Sequence, residues 1–389
     1  MMNYKFEALN TPAFLYDMTR MSALIRTAKS AVQTSSGSLL FSTKAFAIAH
    51  GLEFIAMSVD GFATSSAYEA MLARDILQAR GTVHMTTPGL RPDEVQQIAE
   101  LCDFVTLNSL SQWRQFDEKL LGRTSCGLRI NPQISFVSDN RYAPCRRYSK
   151  LGIPLDSMAA AMEREPGILK GIEGLHFHSN CDSSDFEQLL QTVKLLDARM
   201  GAILKRIRWI NLGGGYLFHQ AASLSAFYEA VDLLKAKYDL EVFVEPGASI
   251  VRDAGYVIST VLDIIDSEGK RIAILDTTVN HMPEVFEYQF EPDVIGHRDD
   301  GRFSYILAGC TCLAGDLFGE YAFDEPLRIG SQVVFANMGA YSLVKAHMFN
   351  GVNLPTIYAL TESGELVTQR RFTYEDFAAR CGADTNVTV

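Results

Sequence analysis

No run of about 18 or more apolar residues occurs in the chain, which argues against a membrane-spanning helix. The first residues, MMNYKFEALNTPAF, lack a basic stretch followed by an apolar one, so no secretory signal is expected. Cysteine is sparse. Seven residues, at 102, 126, 145, 181, 310, 312 and 381, make an odd and scattered set. That pattern excludes a secreted disulfide framework and points to a reducing, cytoplasmic setting. There is no CxxC pair and no HExxH string, so neither a structural nor a catalytic zinc site is indicated. Positive charge is the minority: 35 Lys and Arg stand against 46 Asp and Glu, for a formal net charge of −11. The balance argues against a nucleic-acid partner and suits a cationic small molecule.

What is present is alternation. Short β-rich runs fall at SLLFSTKAF (38–46), DGFATSS (60–66), TVHMTTPG (82–89), FVTLNSL (104–110), SCGLRINP (125–132), IEGLHFHSN (172–180), RIRWINLGGG (206–215) and LEVFVEPG (240–247). Helical patterns separate most of them. RPDEVQQIAELC opens with Pro and an acidic turn, and DFEQLLQTVKLLDARM puts Leu189, Leu190, Val193 and Leu196 on one stripe. Eight strands with helices between them, over roughly 210 residues, predict an α/β fold of the (β/α)8 TIM-barrel type. An open doubly wound sheet is the rival, but no GxGxxG opens a helix after the first strand. Beyond residue 250 the texture turns β-rich, predicting a mainly β C-terminal domain to which TPAFLYD (11–17) adds a strand. The expected division is a barrel over 30–255 and a mainly β domain over 1–29 and 256–389.

In such a barrel, functional groups gather at the C-terminal strand ends. Lys44 ends the first strand, His178 the sixth, the run Gly213, Gly214, Gly215 the seventh and Glu245 the eighth. A lysine placed there loses hydration and becomes nucleophilic, the condition for a Schiff base; the plain alternative is a lysine that snorkels outward. The glycine run lets backbone N–H groups approach an anion, or is only a tight turn. Glu245 is suited to hold a pyridinium nitrogen protonated, or is a buried acid satisfied by its neighbours. His176 and His178 share a face by the strand period, which suits either ring stacking or a metal, but no third ligand follows at convincing spacing. Cys310 and Cys312 flank Thr311 in AGCTCLAGD with Asp316 close behind, either as packing or as a proton donor with its acid, and GAYS offers Tyr341.

Taken together, the strings RRYSKLGI, GLHFHSNC, NLGGGY, HMPE, CLAGDLFGEYAF and MFNG resemble the fold-type III, alanine-racemase-like decarboxylases that use pyridoxal 5′-phosphate, the carboxynorspermidine/carboxyspermidine branch above all. The resemblance runs from TPAFLYD to RRFTYEDF. It implies that Lys44 is the Schiff-base lysine, that His178 stacks on the pyridine ring, and that Gly213, Gly214 and Gly215 bind phosphate. It also implies that Glu245 meets the ring nitrogen and that Tyr341 lies near the phosphate. Cys312 and Asp316 match a pair inserted by the partner of a homodimer with shared active sites, and Asp316 would also bind the substrate's distal ammonium. Arg147, Tyr148 and His281 lie in strings that hold substrate groups. The implied activity is decarboxylation of a cationic amino acid in polyamine, including spermidine, biosynthesis. The alternatives are a decarboxylase of another amino acid (diaminopimelate-like, or a siderophore or natural-product intermediate) and a non-catalytic homologue that binds the cofactor. A racemase would need a tyrosine where this chain offers CTCLAGD. One departure stands out: the branch reads EPGE and the wider group EPGR, whereas Ala248 here leaves no charged side chain at that position.

Overall fold

The computed structural model describes residues 9–383; residues 1–8 and 384–389 of the expected terminal β segments lie outside the described residues. The chain divides into two compact units, one of residues 22–250 and one of 1–21 with 251–389. Among the described residues, no helix is long and apolar enough to cross a membrane.

Strand β1 (Ala13–Asp17) and helix Met18–Thr34 precede the barrel strands β2 (Ser38–Ser42), β3 (Gly61–Thr64), β4 (Thr82–Thr86), β5 (Phe104–Leu107) and β6 (Ser125–Asn131). A two-residue strand, β7 (Ile153–Pro154), pairs only with β6. The series resumes with β8 (Gly174–His176), β9 (Trp209–Asn211) and β10 (Glu241–Val244). All eight expected strands are therefore present. Parallel pairings run β2–β3–β4–β5–β6–β8–β9–β10, and β10 returns to β2 through Phe243↔Ser38 and Val244↔Leu39, closing a (β/α)8 barrel. Several strands are shorter than the sequence suggests. β2 stops at Ser42 because the Thr43 hydroxyl donates to the Ala63 carbonyl and to Glu69, and the Phe46 N–H returns to Thr43 O, winding 43–45 into a tight turn.

The period of two sorts the barrel's side chains by height. Leu39, Phe41, Val83, Met85, Val105, Leu128, Leu175 and Val242 are buried and alternate with the interior-facing set. Inside, Leu40, Ala63, Trp209 and Phe243 form one buried cluster with Phe104 against it. His84 stacks flat on Phe104 at 4.2 Å. Trp209 fills so much of this floor that a Cβ on Gly174 would lie 2.0 Å from the indole, which explains the glycine there. The indole N–H donates to Ser125 Oγ at 2.8 Å, and that hydroxyl donates to Glu173 at 2.6 Å. Two residues further along these strands the interior turns polar: Ser42, Thr86, Arg129, His176, Asn211 and Glu245.

The second unit holds β11 (Gly255–Ser267), β12 (Lys270–Leu275), β13 (Phe303–Ala308), β14 (Leu317–Phe323), β15 (Gln332–Phe335), β16 (Thr356–Leu360) and β17 (Leu366–Arg370). They build a sheet in the order β14-β13-β12-β11-β1-β16-β17, with β15 also on β11. β1 pairs antiparallel with β11 and parallel with β16, so the N-terminal segment is a central strand of this sheet, as the TPAFLYD pattern suggests. Leu9, Ala13, Leu15, Tyr256, Ile258, Val334 and Tyr358 form its core.

Candidate active site

The polar end of the barrel interior opens as a cavity lined by Ser42, Lys44, Ala63, Thr64, Ser65, Thr86, Arg129, His176, His178 and Glu245. Three elements set its shape. The 43–45 turn carries Lys44 with its side chain exposed, rather than stripped of water as the strand-end position suggests. The Ser42 N–H donates to Pro246 O at 3.1 Å, joining that turn to the segment that follows β10 and carries Glu245. The glycine run after β9 closes against both of its neighbours. Gly213 has φ +72°, and a Cβ on it would meet Phe177 O at 2.5 Å; a Cβ on Gly214 would meet Glu245 O at 2.5 Å. The Gly213 N–H donates to Asn211 Oδ1 at 2.8 Å and the Gly214 N–H to His178 Nδ1 at 3.0 Å, so two of the three amides bond within the protein.

Glu245 is buried, with Oε1 3.0 Å from His176 Nε2 and Oε2 accepting from Asn211 Nδ2 at 3.1 Å. Burial pushes its carboxyl up. His176 with its hydrogen bond, and the Lys44 charge beyond, outweigh that and hold the group well below the usual carboxylate range. His176 moves the other way: burial lowers it, and Glu245 only partly offsets the shift. The pair is thus an ionised carboxylate and a neutral imidazole whose Nε2–H donates, leaving buried His176 Nδ1 without a partner. Burial, then Lys44 and Arg129, hold His178 well below its ordinary value, so its ring is neutral as well. Arg129, buried and pulled down chiefly by that burial, makes no hydrogen bond or ion pair among the described residues. Its guanidinium faces the cavity without a committed partner, and a charge-assisted hydrogen bond there would be a strong one. It therefore marks a place for an anionic or phenolic oxygen.

Arg129 and Asn211 were not singled out in the sequence, and His176 only as the companion of His178 on one strand face. Their signal is the two-residue step from the barrel floor: Gly127 to Arg129, Gly174 to His176, Trp209 to Asn211, Phe243 to Glu245. Arg147 and Tyr148 are exposed on the long segment after β6, the guanidinium 4.7 Å above the Tyr148 ring, and neither lines the cavity. Nearby Cys145 does approach it, its thiol 3.5 Å from His178 O.

The sheet unit carries the other expected residues. Cys312 is exposed, and its N–H donates to Asn350 Oδ1 at 3.0 Å. Asp316 is buried and accepts from the Val279 N–H at 2.8 Å and from the Thr311 N–H at 3.1 Å. His281 is buried with Nδ1 2.9 Å from Thr277 Oγ1, and burial, with His347 adding to it, pushes it down to about 3. Tyr341 has φ +55° and is half-buried.

A family model described as "Pyridoxal-dependent decarboxylase, C-terminal sheet domain" matches residues 13–339. The chain belongs to the pyridoxal-dependent decarboxylases. It is 32% identical to a carboxynorspermidine/carboxyspermidine decarboxylase of Campylobacter jejuni over 96% of this chain and 99% of that one. It is 33% identical to a carboxyaminopropylagmatine decarboxylase of Synechocystis over 98% of this chain and 97% of that one. Among solved structures, C. jejuni carboxynorspermidine decarboxylase complexed with norspermidine superposes with a TM-score of 0.86 at 30% identity, covering 96% of this chain and all of that one. A diaminopimelate decarboxylase of Helicobacter pylori has the same fold, at a TM-score of 0.84 and 21% identity.

The barrel residues fit the cofactor that this family's description names. They offer a primary amine, an ionised carboxylate, a neutral ring and an uncommitted guanidinium around one cavity. Among the described residues, no group of three or more His, Cys, Asp or Glu is placed to hold a metal ion.

Proposed function

We propose that this chain decarboxylates an amino acid bearing a cationic, polyamine-like tail, with carboxynorspermidine, carboxyspermidine or carboxyaminopropylagmatine as the substrate type. One observation carries the reading: Lys44, Arg129, His178 and ionised Glu245 surround a single cavity, in a chain whose full-length relatives at 32% and 33% identity decarboxylate such compounds. The acidic chain, at −11, favours a cationic substrate.

Lys44, His178, Glu245, Arg129 and the Gly213–Gly215 run would hold pyridoxal phosphate, and family likeness adds Tyr341. When bound, that cofactor supplies a carbonyl carbon for the substrate amine and a ring that takes up the electron pair left by departing CO2. Glu245, kept ionised by His176 and Asn211, holds a proton at the ring nitrogen. The neutral His178 ring lies against a flat partner without adding charge to it. Lys44 is the nucleophile that anchors the cofactor between turnovers. After CO2 leaves, one proton must reach Cα, from the Cys312 thiol or the Lys44 ammonium.

Cys312 does this across a homodimer, each chain supplying the other's thiol. Supporting that assembly, three exposed apolar side chains lie on or beside the Cys312 loop or next to Asn350, which bonds it. Phe286 is 46% exposed and packs beside Gly315, Leu317 is 48% exposed and Phe349 is 42% exposed. The same reading places the enzyme in the cytoplasm.

The test is CO2 release from purified protein with pyridoxal phosphate and carboxynorspermidine, carboxyspermidine, carboxyaminopropylagmatine, meso-diaminopimelate, ornithine, lysine and arginine. Release from the carboxylated polyamine types alone is expected. Turnover of diaminopimelate or ornithine instead overturns the substrate class, and no release at full cofactor occupancy overturns catalysis. For the assembly, mixing Lys44→Ala with Cys312→Ala protein should restore activity in heterodimers; no recovery after subunit exchange rejects shared sites.

A further inference from the structure

The segment Gly309–Asp316 joins β13 to β14 and carries both Cys312 and Asp316. The two residues are used very differently. Asp316 is 2% exposed, and its carboxylate gathers three donors. Oδ1 accepts from the Val279 N–H at 2.8 Å, and Oδ2 accepts from the Thr311 N–H at 3.1 Å and from the Thr311 hydroxyl. Its main chain closes the same loop, with Gly309 N–H to Asp316 O at 2.8 Å and Asp316 N–H to Leu313 O at 2.9 Å. The fit is so close that a Cβ on Gly309 would lie 2.2 Å from Asp316 Oδ1. The Cys310 N–H is tied to Thr277 O at 3.1 Å. Between these fixed points Cys312 stands exposed, with its N–H donating to Asn350 Oδ1.

We infer that Asp316 is a positioning residue: its carboxylate is the internal anchor of the 309–316 loop and fixes where the Cys312 thiol is presented, and it does not bind the substrate's distal ammonium. A carboxylate has about four acceptor positions, and three are taken by donors of its own loop and of Val279. The group is buried away from solvent, so a substrate cation would have to displace those donors and leave them unsatisfied, at a cost comparable to the bond it gains. The consequence for the reaction rests on the proposal that Cys312 delivers the proton: Asp316 acts on turnover through the thiol.

The experiment compares Asp316→Asn, Thr311→Val and Cys312→Ala, singly and as the Asp316→Asn/Cys312→Ala double variant, in the cofactor-loaded enzyme. Asparagine keeps one acceptor and turns a donor toward the Thr311 N–H; valine removes only the hydroxyl and leaves the fold's backbone bonds intact. Two quantities are read: kcat and KM for the carboxylated polyamine, and the rate at which iodoacetamide alkylates Cys312, followed by peptide mass. Losing one such buried acceptor is expected to lower kcat by about tenfold with KM nearly unchanged. The Cys312 alkylation rate should change several-fold in Asp316→Asn, in the same direction and less in Thr311→Val. In the Cys312→Ala background, Asp316→Asn should add nothing to the loss in kcat. A rise in KM with kcat and alkylation unchanged, and a silent Thr311→Val, overturns the inference in favour of an ammonium site. If Cys312→Ala alone leaves kcat intact, the proton-donor proposal fails by itself; the alkylation rate then still decides the anchor, and an unchanged rate in Asp316→Asn rejects it.

Discussion

The barrel cluster and the sheet-unit cluster hold similar residue types in opposite conditions. Around the barrel cavity, Lys44 and Arg129 make no hydrogen bond or ion pair among the described residues, and His176 Nδ1 is orphaned. In the sheet unit, the Asp316 carboxylate accepts from three donors and His281 Nδ1 lies beside Thr277, although His281 Nε2 is orphaned as well. Polar groups left uncommitted inside a protein are costly, so a cluster of them implies a ligand that completes them. Groups that complete one another implement shape. The contrast between Arg129 and Asp316 agrees with the proposed binding at the barrel cluster and the inferred presentation of Cys312 at the other.

The largest effect that would sharpen this contrast is at Lys44. Lys44→Ala should lower turnover by about 10⁴-fold and abolish the borohydride-stable adduct with pyridoxal phosphate; a surviving adduct would move the nucleophile elsewhere. Acid comes next. Burial depresses His84 to about 3 and lowers His176 and His178, all in the barrel unit, whereas His281 alone is so placed in the sheet unit. A histidine whose folded value is depressed gives stability that is present above its unfolded value of about 6.5 and is lost as pH falls below it. Each adds an acid sensitivity that grows as pH falls below that value, up to about 1.4 kcal/mol per pH unit, so the barrel should weaken more steeply than the sheet unit and fail first. Both tryptophans, Trp113 and Trp209, lie in the barrel unit, so denaturant midpoints by tryptophan fluorescence from pH 7 to 5 report it, and hydrogen exchange follows the sheet unit. Equal loss in both would break the comparison.

Gly174→Ala forces a Cβ into the Trp209 indole and should cost about 3 kcal/mol in the barrel with the sheet unit unaffected, seen as a lowered urea midpoint by fluorescence. Arg129→Met removes the uncommitted charge with little change in volume. It should weaken pyridoxal phosphate binding by roughly 10- to 100-fold in equilibrium titration, the worth of a hydrogen bond to a charged group, while leaving the urea midpoint unchanged or raised. The smallest effect is expected at the half-exposed Arg114–Glu165 pair: Arg114→Ala should change stability by less than about 1 kcal/mol.

All eight barrel strands were legible because parallel strands covered on both faces read as apolar runs bounded by turns. Lys44, His178 and Glu245 were legible because each closes such a run. Arg129 was not, since SCGLRINP registers as a strand through its apolar residues, and the cation disappears into the pattern. The segment Leu317–Phe323, which forms β14, does not read as a strand because Gly319, at φ +139°, interrupts its alternation. The role of Asp316 was out of reach for another reason. Its partner Val279 lies 37 residues away, and only the fold of the sheet brings that amide to it.

The indole floor of the barrel makes the cavity a dead end. Whatever enters must leave by the same mouth, and the narrow polar pocket above that floor admits the reacting end of a molecule rather than a long chain. A polyamine tail would then trail outside the strands, where loops alone can measure it. Lineages built on this plan can exchange one tail for another by rewriting those loops, with the interior chemistry left as it stands.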